Sequence, residues 1–192
     1  MTGSATPFQP SGGCFLPRIR HAKAPKVDRR DKLDSDRLMT DTPGPSNDLD
    51  PSTIKQVGAL PVERAPDGSW RVILITTRDS GRWSIPKGNP MKELSPSQAA
   101  AQEALEEGGL TGNIDDEPIG SYVFWKRRSG HWELARVDVY LMDVRKQVDD
   151  YKEKGLRKIE RFGFDDAEDA ILEPGLKSII AATKDRLAGS KA

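Results

Sequence analysis

The segment from Gly88 to Leu110, GNPMKELSPSQAAAQEALEEGGL, constrains the fold of this chain more than any other stretch. Ser95 is a preferred N-cap residue, Pro96 is tolerated at the first helical position, and Gln98 completes a capping box with Ser95. A pair of glycines after the last glutamate supplies a stop signal. The sequence therefore predicts a short helix over residues 96–107 with a defined start and a defined end.

Three glutamates of the predicted helix share one face, because positions i, i+3 and i+4 are neighbours on a helix surface. They are Glu103, Glu106 and Glu107, and the roughly opposite face carries Ala101, Ala104 and Leu105. No Lys or Arg within the helix offsets the repulsion, which costs about 0.2–0.5 kcal/mol per pair of like charges. Hard divalent cations take carboxylate oxygens as ligands, so this face is a candidate metal site. A solvated acidic helix face is the alternative.

The composition divides the chain into two parts. The hydrophobic fraction of 35% is low for a chain that packs throughout, and residues 1–52 are rich in Pro, Gly, Ser and Asp without any sustained period. We therefore expect residues 1–52 to form a disordered N-terminal tail and residues 53–188 to form one α+β domain. An organelle-targeting segment at the basic, acid-free start and an alternative start at Met39 remain open.

Charge and cysteine content exclude several classes of protein. Lys plus Arg and Asp plus Glu number 30 each, so no net field attracts nucleic acid or an anionic membrane. The single cysteine, Cys14, excludes an intrachain disulfide framework and a cysteine zinc site. No apolar run approaches the roughly 20 residues needed to span a bilayer. These features favour a cytoplasmic protein.

The region from residue 53 onward alternates between strand and helix patterns. The strand patterns are 53–63, interrupted at Pro61, then 70–77, buried between two layers, 82–85, 119–125, 135–141, with one face buried, and 159–164. Residues 114–118 and 146–158 are predicted to be a polar connection and a charged loop, and helices are predicted to begin near Asp165 and at Pro174. The result is a mixed sheet with one helix inserted midway and helices at the C-terminal end.

Cationic side chains flank the acidic helix and are candidates for binding an anionic ligand. Arg78, Arg82 and Lys87 precede it, with Gly88 allowing close backbone approach or serving as a turn glycine, and Lys126, Arg127 and Arg128 lie in the turn of a predicted hairpin. For the hairpin trio, an exposed tip kept soluble by its charge is the alternative.

Two tryptophans and one histidine are further candidates for site residues. Trp83 and Trp125 are able to stack on a base, but tryptophans in strand-like segments more often belong to the core. His131 has no nucleophile to pair with in the sequence, so a Ser-His or Cys-His mechanism has no support.

The residues from Gly88 onward resemble the Nudix box, G-x5-E-x7-R-E-U-x-E-E-x-G-U with U aliphatic. The match consists of Gly88, Glu103, Glu106, Glu107, Gly109 and Leu110. The flanking RWSIPKG at 82–88 and Glu160-Arg161-Phe162 look like the branch that contains diphosphoinositol polyphosphate and diadenosine polyphosphate hydrolases. The resemblance, which covers residues 56–187, implies a Nudix-like α/β/α sandwich with a mixed central sheet.

The resemblance also implies a metal-dependent pyrophosphohydrolase that cleaves a diphosphate linked to another moiety. Its partner would be a small-molecule polyphosphate, an inositol pyrophosphate or a dinucleoside polyphosphate, and its cofactor Mg²⁺ or Mn²⁺ held by Glu103, Glu106 and Glu107. One of these glutamates would also take the proton of the attacking water, and Glu153 and Glu160 are candidates for an additional acid. The oligomeric state is left open.

Two box positions depart from the pattern. Leu94 stands where the box has its first Glu, and Gln102 stands where it has Arg, which in the family helps orient the catalytic glutamates. Gln102 is still able to donate hydrogen bonds to a carboxylate, although without charge assistance. The alternatives are therefore a catalytically weak or inactive module that binds a nucleotide or phosphorylated ligand, and a partner-binding domain with solvated glutamates.

Overall fold

The computed structural model describes residues 53–189, and the predicted N-terminal tail lies outside the described residues. The strands in this part of the chain are β1 (Ile54–Arg64), β2 (Trp70–Thr76), β3 (Trp83–Ser84), β4 (Lys87–Gly88), β5 (Leu110–Ile114), β6 (Gly120–Arg127), β7 (Trp132–Gln147) and β8 (Ile159–Phe162). The helices are α1 (Pro96–Gly108), α2 (Phe164–Ala170) and α3 (Pro174–Gly189). None of these helices is long and apolar enough to cross a membrane.

The eight described strands form one mixed sheet around β1 and β7. These two strands run parallel from the pair Ile54–Ala135 to the pair Val62–Asp143. All other pairings are antiparallel: β2, β4, β5, β6 and β8 attach to this centre or to each other, and β3 lies beside β2. The mixed sheet expected from the sequence is thereby confirmed.

Helices cover both faces of the sheet. On one face α1 packs over a cluster that includes Val57, Ile73 and Met142, and on the other face α2 and α3 pack over a cluster that includes Leu74 and Val139. The predicted two-sided burial of β2 follows from this, because Val72 and Leu74 point into one cluster, Ile73 points into the other, and all three are fully buried. The molecule is an α/β/α sandwich, as predicted.

The structure corrects the predicted interruption at Pro61. β1 continues through this residue to Arg64. The backbone N–H of Ala59 donates to the Pro86 oxygen at 3.0 Å, so the nitrogen of Pro61 faces the same side two residues later. On that side β1 pairs with β4 at Val57 and Gly58 and with β2 only from Val62 onward. The missing N–H therefore falls between two partners, where proline is tolerated.

Three further boundaries differ from prediction. β5 was not predicted, because its sequence LTGNI has little strand propensity; it pairs with β7 through a register shift at Gly112, where a side chain would overlap the Asp143 carbonyl. β6 extends through Lys126 and Arg127, which were expected in a turn. α2 begins at Phe164, so Asp165 lies in its first turn rather than at its cap.

The acidic helix has the ends that the sequence predicts. The Ser95 hydroxyl accepts from the Gln98 backbone at 3.2 Å, and the Ser95 backbone donates to the Gln98 side chain at 3.0 Å. Gly109 closes the helix with a φ of 66°. The packing face, however, is centred on Ala100 and Ala104 and extends to Glu107, whereas the predicted packing residue Leu105 is half-buried. One of the three glutamates is therefore buried.

Candidate active site

Glu107 is the buried glutamate, with a side chain only 10% exposed. One carboxylate oxygen, Oε2, accepts from the backbone N–H of Lys87 at 3.0 Å, and the other, Oε1, accepts from the guanidinium of Arg157. Burial raises the pKa of Glu107, while Arg157 and Lys87 act in the opposite direction. The carboxylate is thus held in one orientation by two donors from outside its own helix.

Glu106 lies further out, with a side chain 22% exposed. Gln102, one turn earlier, donates to Oε1 at 2.8 Å, and Lys152 donates to Oε2 at 2.5 Å. These two hydrogen bonds lower the pKa of Glu106. The prediction that glutamine at the arginine position of the box still binds a carboxylate is therefore confirmed.

Glu103 has a carboxylate that lies directly against Gly88. A side chain added at Gly88 would overlap this carboxylate, whose farther oxygen is 2.6 Å from the ideal Cβ position. Burial, together with the neighbouring charges of Glu107 and Glu106, raises the pKa of Glu103 to about 7. Gly88 lies in β4 and pairs with Val57 of β1, so it is a strand residue and not a turn glycine. Its small size makes room for the Glu103 carboxylate.

The loop over residues 148–158 supplies the cations that hold the glutamates. The N–H of Val148 donates to the Gly109 carbonyl at 2.7 Å and that of Glu153 donates to the Glu106 carbonyl at 3.0 Å, so the loop caps the C-terminal end of α1. The sequence predicted a charged loop but gave no indication of this contact. Lys152 and Arg157 therefore lie beside the carboxylates, 46 and 50 residues after their partners.

A cleft of about 1280 Å³ contains the glutamates and all the predicted ligand-binding residues. Its lining includes Glu103, Glu106, Glu107, Arg78, Arg82, Lys87, Gly88, Lys126, Arg127 and Arg128. Glu153, a candidate additional acid, also lines the cleft, whereas Glu160 lies on β8 and is not part of the lining. The structure thus brings together residues from five segments that the sequence could only suggest separately.

The cations of the cleft differ in how tightly they are held. Lys87 lies 5.4 Å from the ring centre of Phe124, and desolvation by the surrounding protein lowers its pKa. Arg78 and Arg82 are largely exposed and contact Glu153 at 3.5 Å and Glu173 at 4.0 Å. Such exposed pairs are weak and are easily exchanged for an anionic ligand.

Two exposed tryptophans line the same cleft. Trp125 is 62% exposed and Trp132 is 61% exposed. The register of β6 and β7 puts both on one face of the hairpin, because Trp125 pairs with Leu134 and Arg127 pairs with Trp132. The expectation that Trp125 belongs to the core is therefore wrong, and Trp132 was missed. Trp83 does pack inside, edge-on against Phe162 with ring centres 5.1 Å apart.

The chemistry of the carboxylates fits a hard cation, although their present contacts do not form a finished metal site. Within residues 53–189, no group of three or more His, Cys, Asp or Glu side chains converges closely enough to hold a metal ion. The available donors are carboxylate oxygens, the ligands that Mg²⁺ and Mn²⁺ prefer. Glu103 experiences the negative charge of its neighbours, which a bound cation would relieve. Glu106 would have to give up its contact with Lys152.

An α/β/α sandwich whose acidic helix borders a cationic cleft defines a class of protein built to hold a phosphorylated ligand beside carboxylates. A family model of the NUDIX domain matches residues 54–183, and the chain belongs to the Nudix family. It is a hydrolase that acts on phosphorus-containing anhydrides. Hydrolases of this family generally use divalent cations.

Two comparisons accompany the family match. The chain is 26% identical over 137 residues to Nudix hydrolase 18, mitochondrial, of Arabidopsis thaliana, which covers 68% of this chain and 76% of that protein. It is similar to the solved structure of a C. elegans Ap4A hydrolase binary complex with a TM-score of 0.53 and 18% identity, covering 71% of this chain and 99% of the other. The second likeness supports the fold.

Proposed function

We propose that this chain is a divalent-metal-dependent pyrophosphohydrolase that cleaves a diphosphate linked to another moiety. The observation that carries the proposal is the meeting of the α1 carboxylates and eight cationic side chains in one cleft. Pyrophosphate hydrolysis needs both, since the phosphate oxygens must be neutralised and a water must lose its proton.

The residues proposed to hold the metal are Glu103, Glu106 and Glu107. When bound, a divalent cation polarises the phosphoryl group and lowers the pKa of a coordinated water. Glu103 is the proposed proton acceptor, because its carboxylate lines the cleft against Gly88. The carboxylates of Glu106 and Glu107 are instead held by cations of the 148–158 loop. Glu153 borders the same cleft and is the candidate additional acid.

The proposed phosphate-binding residues divide by their surroundings. Lys87 is held close to Phe124 and Glu107, so it offers a fixed charge near the carboxylates. The exposed guanidiniums of Arg78 and Arg82 are free to exchange their weak carboxylate contacts for phosphate oxygens. The hairpin set of Lys126, Arg127 and Arg128 extends the positive wall and favours a ligand with several phosphates.

Both an inositol pyrophosphate and a dinucleoside polyphosphate fit this charge pattern. The exposed Trp125 and Trp132 favour the dinucleoside polyphosphate, because aromatic rings bind nucleobases by stacking and an inositol ring offers no π face. The structural neighbour from C. elegans is named for Ap4A hydrolysis, which agrees with this choice. The small-molecule partner proposed is therefore a dinucleoside polyphosphate first and an inositol pyrophosphate second.

Replacing Trp125 or Trp132 by alanine is expected to raise KM for diadenosine polyphosphate about tenfold, since stacking contributes about 1–3 kcal/mol per base. The KM for an inositol pyrophosphate should not change. Steady-state kinetics on both substrates checks this. Leu156→Ala is the control, because Leu156 is an exposed apolar residue that does not line the cleft. Equal KM changes for both substrates would show that the tryptophans do not select a base.

The proposed activity is tested with a panel of nucleoside polyphosphates, dinucleoside polyphosphates and inositol pyrophosphates in Mg²⁺, in Mn²⁺ and in EDTA. Phosphate and nucleotide release should require the metal. Glu106→Gln is expected to lower it at least tenfold without unfolding the protein, because Glu106 lies on the exposed side of α1. The matched control is Glu117→Gln, an exposed glutamate outside the cleft. Undiminished turnover in Glu106→Gln would overturn the assignment.

A second candidate function is a catalytically weak or inactive module that binds a nucleotide or another phosphorylated ligand. The observation that favours it is the pairing of Glu106 with Lys152 and of Glu107 with Arg157, which engages two carboxylates that a metal would need. This module would be stabilised by ligands from the panel but would release no product. Robust metal-dependent hydrolysis would exclude it. The cytoplasmic location and the absence of nucleic-acid and membrane partners remain predictions from the sequence. The oligomeric state is open.

A further inference from the structure

Arg157 is the most completely bound cation of the cleft. Its side chain is only 8% exposed, and it uses all three nitrogens as donors. Nε donates to Glu153 at 2.7 Å, Nη1 donates to the Thr76 carbonyl at 2.9 Å, and Nη2 donates to Glu107. The planar guanidinium is therefore fixed at three points, on β2, on the 148–158 loop and on α1.

Glu107, the partner of Nη2, is one of the proposed metal ligands. Glu107 has one oxygen on Arg157 and the other on the Lys87 backbone, so both oxygens are anchored and each keeps one lone-pair direction free. The position in α1 where the Nudix box has its orienting arginine carries Gln102, and Gln102 donates to Glu106. No cation of α1 therefore reaches Glu107.

We infer that Arg157 is a positioning residue, which supplies from the 148–158 loop the charge-assisted orientation of a box glutamate that α1 itself does not provide. The inference rests on the proposed function, because it treats Glu107 as a metal ligand. Arg157 acts through Glu107.

Lys152 differs from Arg157 in how far its side chain is exposed. The Lys152 side chain is 68% exposed and makes one contact, to Glu106. An exposed ion pair of this kind contributes little and is readily given up to an incoming cation. Arg157 is buried and cannot leave without breaking three hydrogen bonds, so it remains beside Glu107 when a ligand binds.

The contact of Arg157 with Glu153 connects Arg157 to the wall of the cleft. Glu153 accepts from Nε of Arg157, its backbone donates to the Glu106 carbonyl, and its other oxygen lies 3.5 Å from Arg78. The row Arg78, Glu153, Arg157 and Glu107 alternates in charge and joins the exposed phosphate-binding wall to the buried carboxylate. Glu153 therefore holds Arg157 in place from the loop side.

The test compares Arg157→Gln and Arg157→Lys with the control Arg161→Gln. Arg161 also forms an ion pair, with Glu63 at 2.6 Å, but it is more exposed and lies outside the cleft. Arg157→Gln should lower kcat about 10–100-fold with little change in substrate KM, and should raise the Mg²⁺ concentration for half-maximal activity. Arg157→Lys keeps the charge but not the fork, so its kcat should be intermediate. Arg161→Gln should match the wild type.

A readout without turnover separates this inference from the proposed activity. Mn²⁺ binding, followed by electron paramagnetic resonance of the free ion, should weaken about 10–100-fold in Arg157→Gln and remain unchanged in Arg161→Gln. If the wild type hydrolyses nothing on the panel, the proposed function fails while the Mn²⁺ measurement still decides the role of Arg157.

Circular dichroism and melting curves identify any variant that does not fold, and Arg157→Lys then carries the comparison. Wild-type kcat and wild-type Mn²⁺ affinity in either folded Arg157 variant would overturn the inference. So would a loss of activity in proportion to the unfolded fraction.

Discussion

Replacing Gly88 by alanine is expected to lower kcat/KM on the order of 10²-fold while changing the melting temperature little. The added methyl would overlap the carboxylate of Glu103, so that carboxylate must move. Displacing a reacting group by about 1 Å is enough for a loss of this size. The effect on stability is small, because the atoms that give way are the far end of a flexible, half-buried side chain and not backbone.

Steady-state kinetics measures the change in kcat/KM, and a melting curve measures the change in melting temperature. The two changes are then compared. Gly189→Ala is the control, since a side chain added there meets no atom within 4 Å. A Gly88→Ala protein that keeps wild-type kcat/KM would mean that the position of the Glu103 carboxylate does not matter for the reaction. A protein that loses activity only because it melts would assign Gly88 to folding alone.

The parts of this site that the sequence predicted are those encoded locally. The capping box of Ser95 and Gln98, the stop at Gly109 and the shared face of the glutamates depend on residues a few positions apart, and each of the two caps forms as expected. The strand patterns succeeded for the same reason wherever burial follows a simple period, as in β2.

The parts that the sequence did not predict depend on distant pairing. Glu107 looks like a member of an exposed acidic face until Arg157, 50 residues away, is folded against it. The sequence offered one signal, which is that crowded like charges without a cation in their own helix require a cation from elsewhere. It could not say which of the many lysines and arginines would supply it. Likewise, β5 exists because β7 offers a partner, not because LTGNI prefers a strand.

The packing face of α1 is rotated around the helix relative to the predicted face, and this rotation changes the environment of one glutamate. The predicted face consisted of Ala101, Ala104 and Leu105, whereas the observed face is centred on Ala100 and Ala104 and includes Glu107. The difference moves Glu107 from solvent into the protein, where an unpaired carboxylate would be costly. The burial of this carboxylate explains why it is anchored at both oxygens and why the loop had to bring an arginine to it.

Glu103→Gln is expected to slow hydrolysis strongly and, in metal-free buffer at pH 8, to stabilise the protein. The loss of kcat should be about 10²–10⁴-fold, the contribution of a general base. The gain in stability follows from linkage. The pKa of Glu103 is raised from 4.5 to about 7 in the folded state, so its ionisation opposes folding. This destabilisation is absent below pH 4.5, grows as the pH rises toward 7, and is complete above it.

The size of the gain is modest, about 1 kcal/mol, because Glu103 is only half-buried and solvent screens part of the repulsion. Glu106→Gln provides the matched opposite. The pKa of Glu106 is lowered by its hydrogen bonds to Gln102 and Lys152, so removing its charge at pH 8 should destabilise the protein slightly. Urea unfolding in EDTA at pH 5 and pH 8 measures both variants, and the advantage of Glu103→Gln over wild type should shrink at pH 5.

Adding metal should reverse the order of wild type and Glu103→Gln. A cation that binds only the folded wild type stabilises it by about 2.7 kcal/mol at a concentration of 100 times its Kd. The variant lacks one of the proposed ligands and gains less, so in saturating Mg²⁺ the wild type should become the more stable protein. If Glu103→Gln kept its advantage in both EDTA and Mg²⁺, Glu103 would not be a metal ligand.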